Sequence, residues 1–216
     1  MSFQAVVFDL DGTLLDTLED LARSSNQVLE DHGFPVYPME KYRFFVGDGV
    51  RTLVERILPE DRRDDVTVSE CVASFRRIYK DNWDQSTCTY EGIGPMLDDL
   101  SKKQIRMAVL SNKPDDFTKK CVSRFLNSWN FDPVVGQTEE IPKKPDPVGA
   151  LSIASAWGII PEKILYLGDT SVDMKTAVRA GMMPVGALWG FRTAEELKEN
   201  GARRLLRTPG ELMEML

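Results

Sequence analysis

A short apolar run near the start of the chain, Ala5–Phe8, predicts a buried β-strand. Two carboxylates, Asp9 and Asp11, and the glycine Gly12 follow directly, which marks an abrupt end to that strand. In open parallel sheets, ligands bind beyond the carboxyl ends of the strands. This opening pattern therefore predicts a sheet whose edge carries chemically active side chains.

From residue 89 onward, strand and helix patterns alternate along the chain. The predicted strands are 105–110, 131–135, 164–167, 184–188 and 204–206. A predicted helix at 95–103 precedes the first of these strands, and the helices predicted between them are 115–125, 147–157 and 172–180. Repeated strand–helix units favour a parallel sheet covered by helices on both faces. We therefore expect an α/β fold with a doubly wound parallel sheet.

Residues 17–88 show a different pattern, because apolar residues recur there at three- and four-residue spacing. The predicted helices begin after Thr17 and cover 50–58 and 69–79. No convincing strand pattern lies among them. The simplest architecture is a discontinuous core, formed by residues 1–16 and 89–216, with an inserted all-helical cap at residues 17–88.

The composition excludes several classes of function. The chain has 27 Lys and Arg residues against 34 Asp and Glu residues, a net charge of −7, which argues against binding to nucleic acid or to an anionic membrane. The longest apolar runs are far shorter than a membrane span, and the first residues show no leader pattern. Three scattered cysteines, Cys71, Cys88 and Cys121, predict free thiols. We expect a cytoplasmic globular protein.

Polar clusters follow three of the predicted strands, and a fourth precedes a helix at the same edge. These clusters are residues 9–13, 111–114, 168–173 and 142–147. Carboxylates gathered in one place repel each other unless a cation lies among them, and Mg²⁺ prefers oxygen ligands. We predict Mg²⁺ ligands at Asp9, the main-chain carbonyl of Asp11 and Asp169, with Asp173 orienting a metal-bound water.

These side chains suit phosphoryl transfer. Asp9 can attack a phosphoryl group and form an aspartyl phosphate once the phosphate charge is neutralised. Asp11 lies two residues on, where it can give a proton to the departing alcohol and later take one from water. The Ser111 hydroxyl and the Asn112 amide suit phosphate oxygens, and Lys144 supplies positive charge as the transition state forms.

The same segments closely resemble the motifs of the haloacid dehalogenase superfamily of phosphotransferases. The four matching segments are 9–17, 111–112, 144–147 and 168–173. The resemblance implies a Rossmann-like core with a C1-type helical cap after the first motif, and Mg²⁺ as cofactor. It selects Lys144 rather than Lys143 as the catalytic lysine. Asp11 implies phosphatase chemistry, since the dehalogenases of the family lack that second acid.

Within the superfamily, the chain is most similar to phosphoglycolate phosphatases. This likeness rests on residues 16–21, 45–56 and 185–192. It implies a small phosphorylated metabolite as substrate, with the hydrolysis of 2-phosphoglycolate to glycolate and phosphate as the best single choice. In the cap, backbone amides beside Gly47 and Gly49 could approach a small anion, or these glycines could form a simple turn before a helix. Arg51 could read a substrate carboxylate.

Several alternatives stay open. Related pyrophosphatases and sugar-phosphate phosphatases share parts of these motifs. A phosphomutase of the same superfamily carries a histidine soon after the first motif, whereas residues 18–21 contain none, which favours hydrolysis. A noncatalytic regulatory protein on this fold would lack one of the acids or the lysine. The sequence leaves the oligomeric state open between monomer and homodimer.

Overall fold

The computed structural model describes residues 3–216 and divides the chain into two compact units. One unit comprises the residues up to Leu15 together with Thr89–Leu216, and the other comprises Asp16–Cys88. The strands are β1 (Ala5–Phe8), β2 (Leu15–Asp16), β3 (Cys88–Thr89), β4 (Arg106–Pro114), β5 (Val134–Gln137), β6 (Ile164–Gly168), β7 (Met183–Ala187) and β8 (Arg204–Leu206).

The helices of the described residues alternate with these strands after β3. They are α1 (Leu18–Asp31), α2 (Tyr42–Phe45), α3 (Val50–Ile57), α4 (Asp65–Asn82), α5 (Ile93–Lys102), α6 (Asp115–Phe125), α7 (Val148–Trp157), α8 (Ser171–Ala180) and α9 (Ala194–Glu199). Short 3₁₀ turns cover Met39–Lys41, Glu60–Arg62, Pro161–Lys163 and Pro209–Met215. Over residues 3–216, each helix is too short or too polar to cross a lipid bilayer.

Six strands form one parallel sheet in the larger unit, in the order β5-β4-β1-β6-β7-β8. Strand β1 lies inside the sheet, with Phe8 paired to Val109 of β4 on one side and to Leu167 of β6 on the other. All four residues of β1 are fully buried, as expected for a strand covered on both faces. The predicted α/β class with a Rossmann-like parallel sheet is confirmed.

Strand β4 is longer than the apolar pattern predicts. The pattern ends at Leu110, but pairing with β5 resumes at Pro114 after an irregularity in register. The polar residues 111–113 therefore lie within the strand, where they are buried. Strand β5 begins three residues later than predicted, because the apolar Phe131 serves the core instead: its buried ring packs edge-on against Phe8 at 6.2 Å between centroids.

The unit Asp16–Cys88 contains α1 to α4. Helix α4 begins four residues before its predicted start, because the Asp64 carboxylate caps it by accepting hydrogen bonds from the amides of Val66 at 3.1 Å and Thr67 at 3.0 Å. The two-residue strands β2 and β3, which pair with each other, were not predicted. Two residues are too few to show a periodic pattern.

A buried carboxylate connects the first helix of this unit to the last residues before β3. Asp20, in the first turn of α1, accepts hydrogen bonds from the amides of Ser86 and Thr87 at 2.8–3.0 Å and from the Thr87 hydroxyl at 2.8 Å. The Asp20 side chain is fully buried. A buried charge is tolerated when hydrogen bonds replace its lost water, so this contact ties the two ends of the unit together.

Gly136 in β5 provides a test of the packing. A Cβ atom there would overlap the Cα of Asp115 and lie 2.6 Å from the Thr118 hydroxyl oxygen, both in α6. We expect Gly136→Ala to lower the free energy of unfolding by about 1–3 kcal/mol, the usual cost of overpacking. Gly210→Ala is the matched control, since a Cβ there meets nothing within 4 Å. Equal thermal midpoints for the two variants would contradict this packing.

Candidate active site

The carboxyl ends of the neighbouring strands β1 and β6 bring three aspartates together. Asp9 follows β1, Asp169 follows β6, and Asp173 lies in the first turn of α8. One carboxylate oxygen from each residue lies within 4.8 Å of the other two, and all three residues are buried. We call these three residues the acidic cluster. They are three of the four acidic residues, Asp9, Asp11, Asp169 and Asp173, that the sequence predicts for the metal site.

The Lys144 ammonium donates hydrogen bonds to two members of this acidic cluster. Its Nζ donates to Asp9 Oδ1 at 2.8 Å and to Asp173 Oδ1 at 2.7 Å. Asn112 fixes the backbone of the lysine, because its Oδ1 accepts from the Lys144 amide at 2.8 Å and its Nδ2 donates to the Lys144 carbonyl at 3.1 Å. The side chain proposed from sequence as a phosphate ligand thus also positions the lysine.

Asp169 is held from both sides by the chain around it. Thr13 Oγ1 donates to its Oδ1 at 2.9 Å, and the Phe191 amide donates to its Oδ2 at 2.8 Å. Two glycines allow this close approach. Gly12 has a φ of +88° and a Cβ there would overlap the Asp169 carboxylate, while a Cβ at Gly190 would overlap the Asp169 side chain from another direction. Larger residues at these two positions would displace the carboxylate.

The two oxygens of Asp173 have different partners. Oδ1 accepts from Lys144, and Oδ2 accepts from the Thr170 amide at 3.1 Å and the Thr170 hydroxyl at 2.6 Å. The second set of bonds caps the N-terminus of α8. Asp173 was predicted to orient a water, and its observed contacts show that it also fixes both the helix start and the lysine.

Burial and repulsion between carboxylates raise the pKa values of Asp9 and Asp169. Burial raises the pKa of Asp9 well above its usual range; the Asp173 carboxylate adds to this rise, and Lys144 opposes it. Burial likewise raises the pKa of Asp169 to about 7, with Asp173 contributing, against the hydrogen bonds that Asp169 accepts. Burial alone would lower the pKa of Lys144, but the Asp173 and Asp9 carboxylates outweigh it and raise that pKa well above its usual range.

The donor set of the acidic cluster fits a hard divalent cation. The three carboxylates of the acidic cluster and the Lys144 ammonium together carry an excess of two negative charges when all four groups are ionised. The positive charge of Arg192 also acts on Asp169 and opposes the rise of its pKa. Carboxylate oxygens are the ligands that Mg²⁺ and Ca²⁺ take in proteins. Asp9, Asp169 and Asp173 could therefore hold such an ion.

Asp11, the fourth acid, has a different partner. The Lys113 Nζ lies 3.0 Å from its Oδ1 and 3.2 Å from its Oδ2. The Lys113 side chain is 4% exposed and that of Asp11 is 15% exposed. The Ser111 hydroxyl, also buried, accepts from the Lys113 amide at 3.2 Å. The Asp11 side chain is thus engaged by a lysine and not by the acidic cluster.

The other predicted substrate residues lie in the unit Asp16–Cys88. Gly47 and Gly49 both have positive φ, and Gly49 directly precedes α3. Arg51, in the first turn of α3, is 48% exposed and pairs with Glu55 at 3.0 Å and Asp65 at 2.6 Å. Within its own unit, Arg51 is therefore engaged in surface ion pairs.

Sequence reasoning missed several groups that hold the site. They are Thr13, Lys113, Thr170 and the amide of Phe191. Thr170 could have been found, because a threonine three residues before an acid at a helix start is the capping-box pattern. The Phe191 amide could not, since it reaches Asp169 across 22 residues through the fold alone.

Known proteins are similar to this chain in both sequence and fold. The family model for haloacid dehalogenase-like hydrolases matches residues 6–187. A phosphoglycolate phosphatase of Aquifex aeolicus is 35% identical over 87% of this chain and 86% of its own length. A phosphoglycolate phosphatase of Pseudomonas putida is 32% identical over 86% of this chain and 70% of its own length.

A solved structure is similar to this chain over almost its whole length. A protein of Lactobacillus delbrueckii subsp. bulgaricus, proposed to be a phosphoglycolate phosphatase, superposes with a TM-score of 0.93 at 28% identity, covering 99% of this chain and 98% of its own. The family match spans the acidic cluster, Lys144 and Asp11. This chain therefore belongs to the haloacid dehalogenase-like hydrolase family.

Proposed function

We propose that this protein is a Mg²⁺-dependent phosphatase that hydrolyses a small phosphomonoester through an aspartyl-phosphate intermediate. One observation carries the proposal: Asp9 lies in the buried acidic cluster and accepts a 2.8 Å hydrogen bond from Lys144. A carboxylate can act as a nucleophile toward phosphorus when neighbouring groups orient it and positive charge lies close by. Membership of a hydrolase family and the names of its relatives support this assignment.

The proposed Mg²⁺ ligands are the carboxylates of Asp9, Asp169 and Asp173 and the main-chain carbonyl of Asp11. The close approach of three buried carboxylates, with oxygens within 4.8 Å of one another, supports this assignment. When bound, the ion would neutralise phosphoryl charge and relieve the repulsion among the carboxylates.

In the first step, an Asp9 carboxylate oxygen attacks phosphorus, and the bond between phosphorus and the ester oxygen breaks. Asp11 gives its proton to that ester oxygen, so the alcohol leaves uncharged. Lys144 keeps the Asp9 carboxylate in place and offers positive charge as the transition state forms. This step yields the free alcohol and the aspartyl phosphate.

In the second step, Asp11, now a carboxylate, takes a proton from a water molecule whose oxygen attacks phosphorus. The bond between phosphorus and the Asp9 oxygen breaks, and inorganic phosphate leaves. Asp9 is again a carboxylate, and Asp11 carries the proton needed for the next cycle. Ser111 and Asn112, both buried at the end of β4, are the proposed ligands of the phosphate oxygens in both steps.

The proposed substrate is 2-phosphoglycolate, which would yield glycolate and phosphate. The names of the relatives in Aquifex aeolicus and Pseudomonas putida support it. We further propose that the unit Asp16–Cys88 is a cap domain that selects the substrate, with Gly47, Gly49 and Arg51 as substrate contacts. The positive φ of both glycines supports this role, since glycine adopts that conformation without steric cost and the lack of a side chain lets an anion approach the backbone amides.

Asp9→Asn tests the nucleophile. We expect the release of p-nitrophenol from p-nitrophenyl phosphate to fall by more than about 10³-fold, because the covalent step is lost. The thermal midpoint should stay the same or rise near neutral pH, because the raised pKa of Asp9 means that its ionised form costs folding energy there. Asp116→Asn, at a side chain that is 65% exposed, is the matched control. Near-normal turnover in Asp9→Asn would eliminate this mechanism.

Removal of the metal tests the acidic cluster. A chelator should abolish phosphate release, and added Mg²⁺ should restore it. At about 100 times its Kd, Mg²⁺ should stabilise the protein by about 2.7 kcal/mol, which raises the thermal midpoint by about 5–10 °C for a chain of this size. In Asp169→Asn this rise should disappear. A chelator-resistant activity, or the same midpoint shift in the variant, would contradict the proposed ligand set.

A panel of substrates separates the open alternatives. We expect kcat/KM for 2-phosphoglycolate to exceed those for pyrophosphate and for hexose phosphates by at least about tenfold, since a tenfold preference needs only about 1.4 kcal/mol of differential binding. The measurement is phosphate release with each compound, together with product identification. A preference for pyrophosphate, an isomerised sugar phosphate as product, or no phosphate release from any compound would each point to a different alternative.

A further inference from the structure

The buried ion pair between Asp11 and Lys113 has a definite origin in the sheet. Phe8 and Val109 are paired neighbours on β1 and β4. Asp11 lies three residues beyond Phe8, and Lys113 lies four residues beyond Val109. The two parallel strands therefore carry these side chains to the same edge of the sheet. The pairing of the strands therefore fixes this contact, and it is not a chance meeting of mobile surface groups.

Stability alone does not account for this pair. Lys113 is 4% exposed and Asp11 is 15% exposed, so both groups have given up much of their water. A buried pair of this kind often contributes no more to stability than apolar residues of similar size would. The Lys102–Asp99 pair on the surface of α5 is as short, at 2.9 Å, without any such cost. The burial of Lys113 thus calls for a role beyond folding.

Asp11 would have other partners if Lys113 were absent. It lies two residues along the chain from Asp9, which belongs to the acidic cluster and accepts a hydrogen bond from Lys144. A carboxylate there is attracted by the Lys144 ammonium and by any cation that the acidic cluster binds. Lys113 Nζ, within hydrogen-bond distance of both Asp11 oxygens, competes with that attraction.

We propose that Lys113 is a positioning residue that holds the Asp11 side chain outside the acidic cluster, at the sheet edge where the proposed reaction places its acid–base group. This inference rests on the proposed function, because it assigns Lys113 to the acid–base residue of that reaction. Lys113 acts through Asp11 and has no separate part in the chemistry.

Lys113→Met tests the inference with 2-phosphoglycolate as substrate. General acid–base catalysis contributes about 10²–10⁴-fold, so the loss of its alignment should lower kcat by about 10–100-fold while KM changes less than about threefold. Lys113→Arg, which keeps a cation, should recover most of the lost kcat. Lys102→Met, the same change at a side chain that is 74% exposed, is the matched control and should behave like wild type.

A double-mutant cycle separates positioning from a structural role. In an Asp11→Asn background, Lys113→Met should change kcat by less than about twofold, because the residue through which Lys113 acts has already been disabled. Independent losses that multiply in the double variant would overturn the inference. An increase in KM and in the inhibition constant of inorganic phosphate, with kcat unchanged, would also overturn it, because Lys113 would then bind phosphate directly.

Folding and the proposed function are controlled separately in this experiment. Thermal unfolding of each variant, compared with Lys102→Met, shows whether a loss of kcat reflects a loss of folded protein. Wild-type protein that releases no phosphate would overturn both the proposed function and this inference. Active wild type with a fully active Lys113→Met variant would overturn the inference alone.

Discussion

Lys144 Nζ donates to two buried carboxylates, those of Asp9 and Asp173, that lie close together. Without it, the buried charges of Asp9 and Asp173 would repel each other with little solvent to screen them. One ammonium cannot balance three carboxylates, so the group retains an affinity for positive charge. The fold thus concentrates carboxylates at this edge of the sheet, and this concentration makes the site suited to binding a cation.

Neighbouring segments of the chain hold Lys144, Asp169 and Asp173 in position. The side-chain amide of Asn112 holds the Lys144 main chain, accepting from its amide and donating to its carbonyl. Asp173 accepts hydrogen bonds both from Lys144 and from Thr170 at the start of α8. Gly12 and Gly190 let two separate segments close on Asp169. Each charged group is therefore held by strands, a helix start or a tight loop, which limits how far it can move when charges change nearby. Such preorganisation is what electrostatic catalysis requires.

The sequence was sufficient to predict the parallel sheet and the meeting of its polar ends, because both follow from local patterns. Ala5–Phe8 has the composition of a strand buried on both faces, and the polar residues after it can only lie at its carboxyl end. The partners within the site were harder to predict. In the sequence, Lys113 is one more polar residue after Ser111 and Asn112, and nothing in the pattern indicates that it is buried. Its burial follows from the extension of β4 to Pro114. The four-residue α2 and the six-residue α9 are too short for a periodic signal.

The hydrogen bonds of Asp20 have a consequence for how this chain can vary. Because they join the first turn of α1 to Ser86 and Thr87, the helical segment is closed at its own base by contacts made within itself. Insertions, deletions or exchanges between Asp20 and Ser86 that keep these hydrogen bonds leave the distance between the two ends of the segment unchanged. The residues of this segment can therefore vary while the sheet that carries the acidic cluster keeps its sequence.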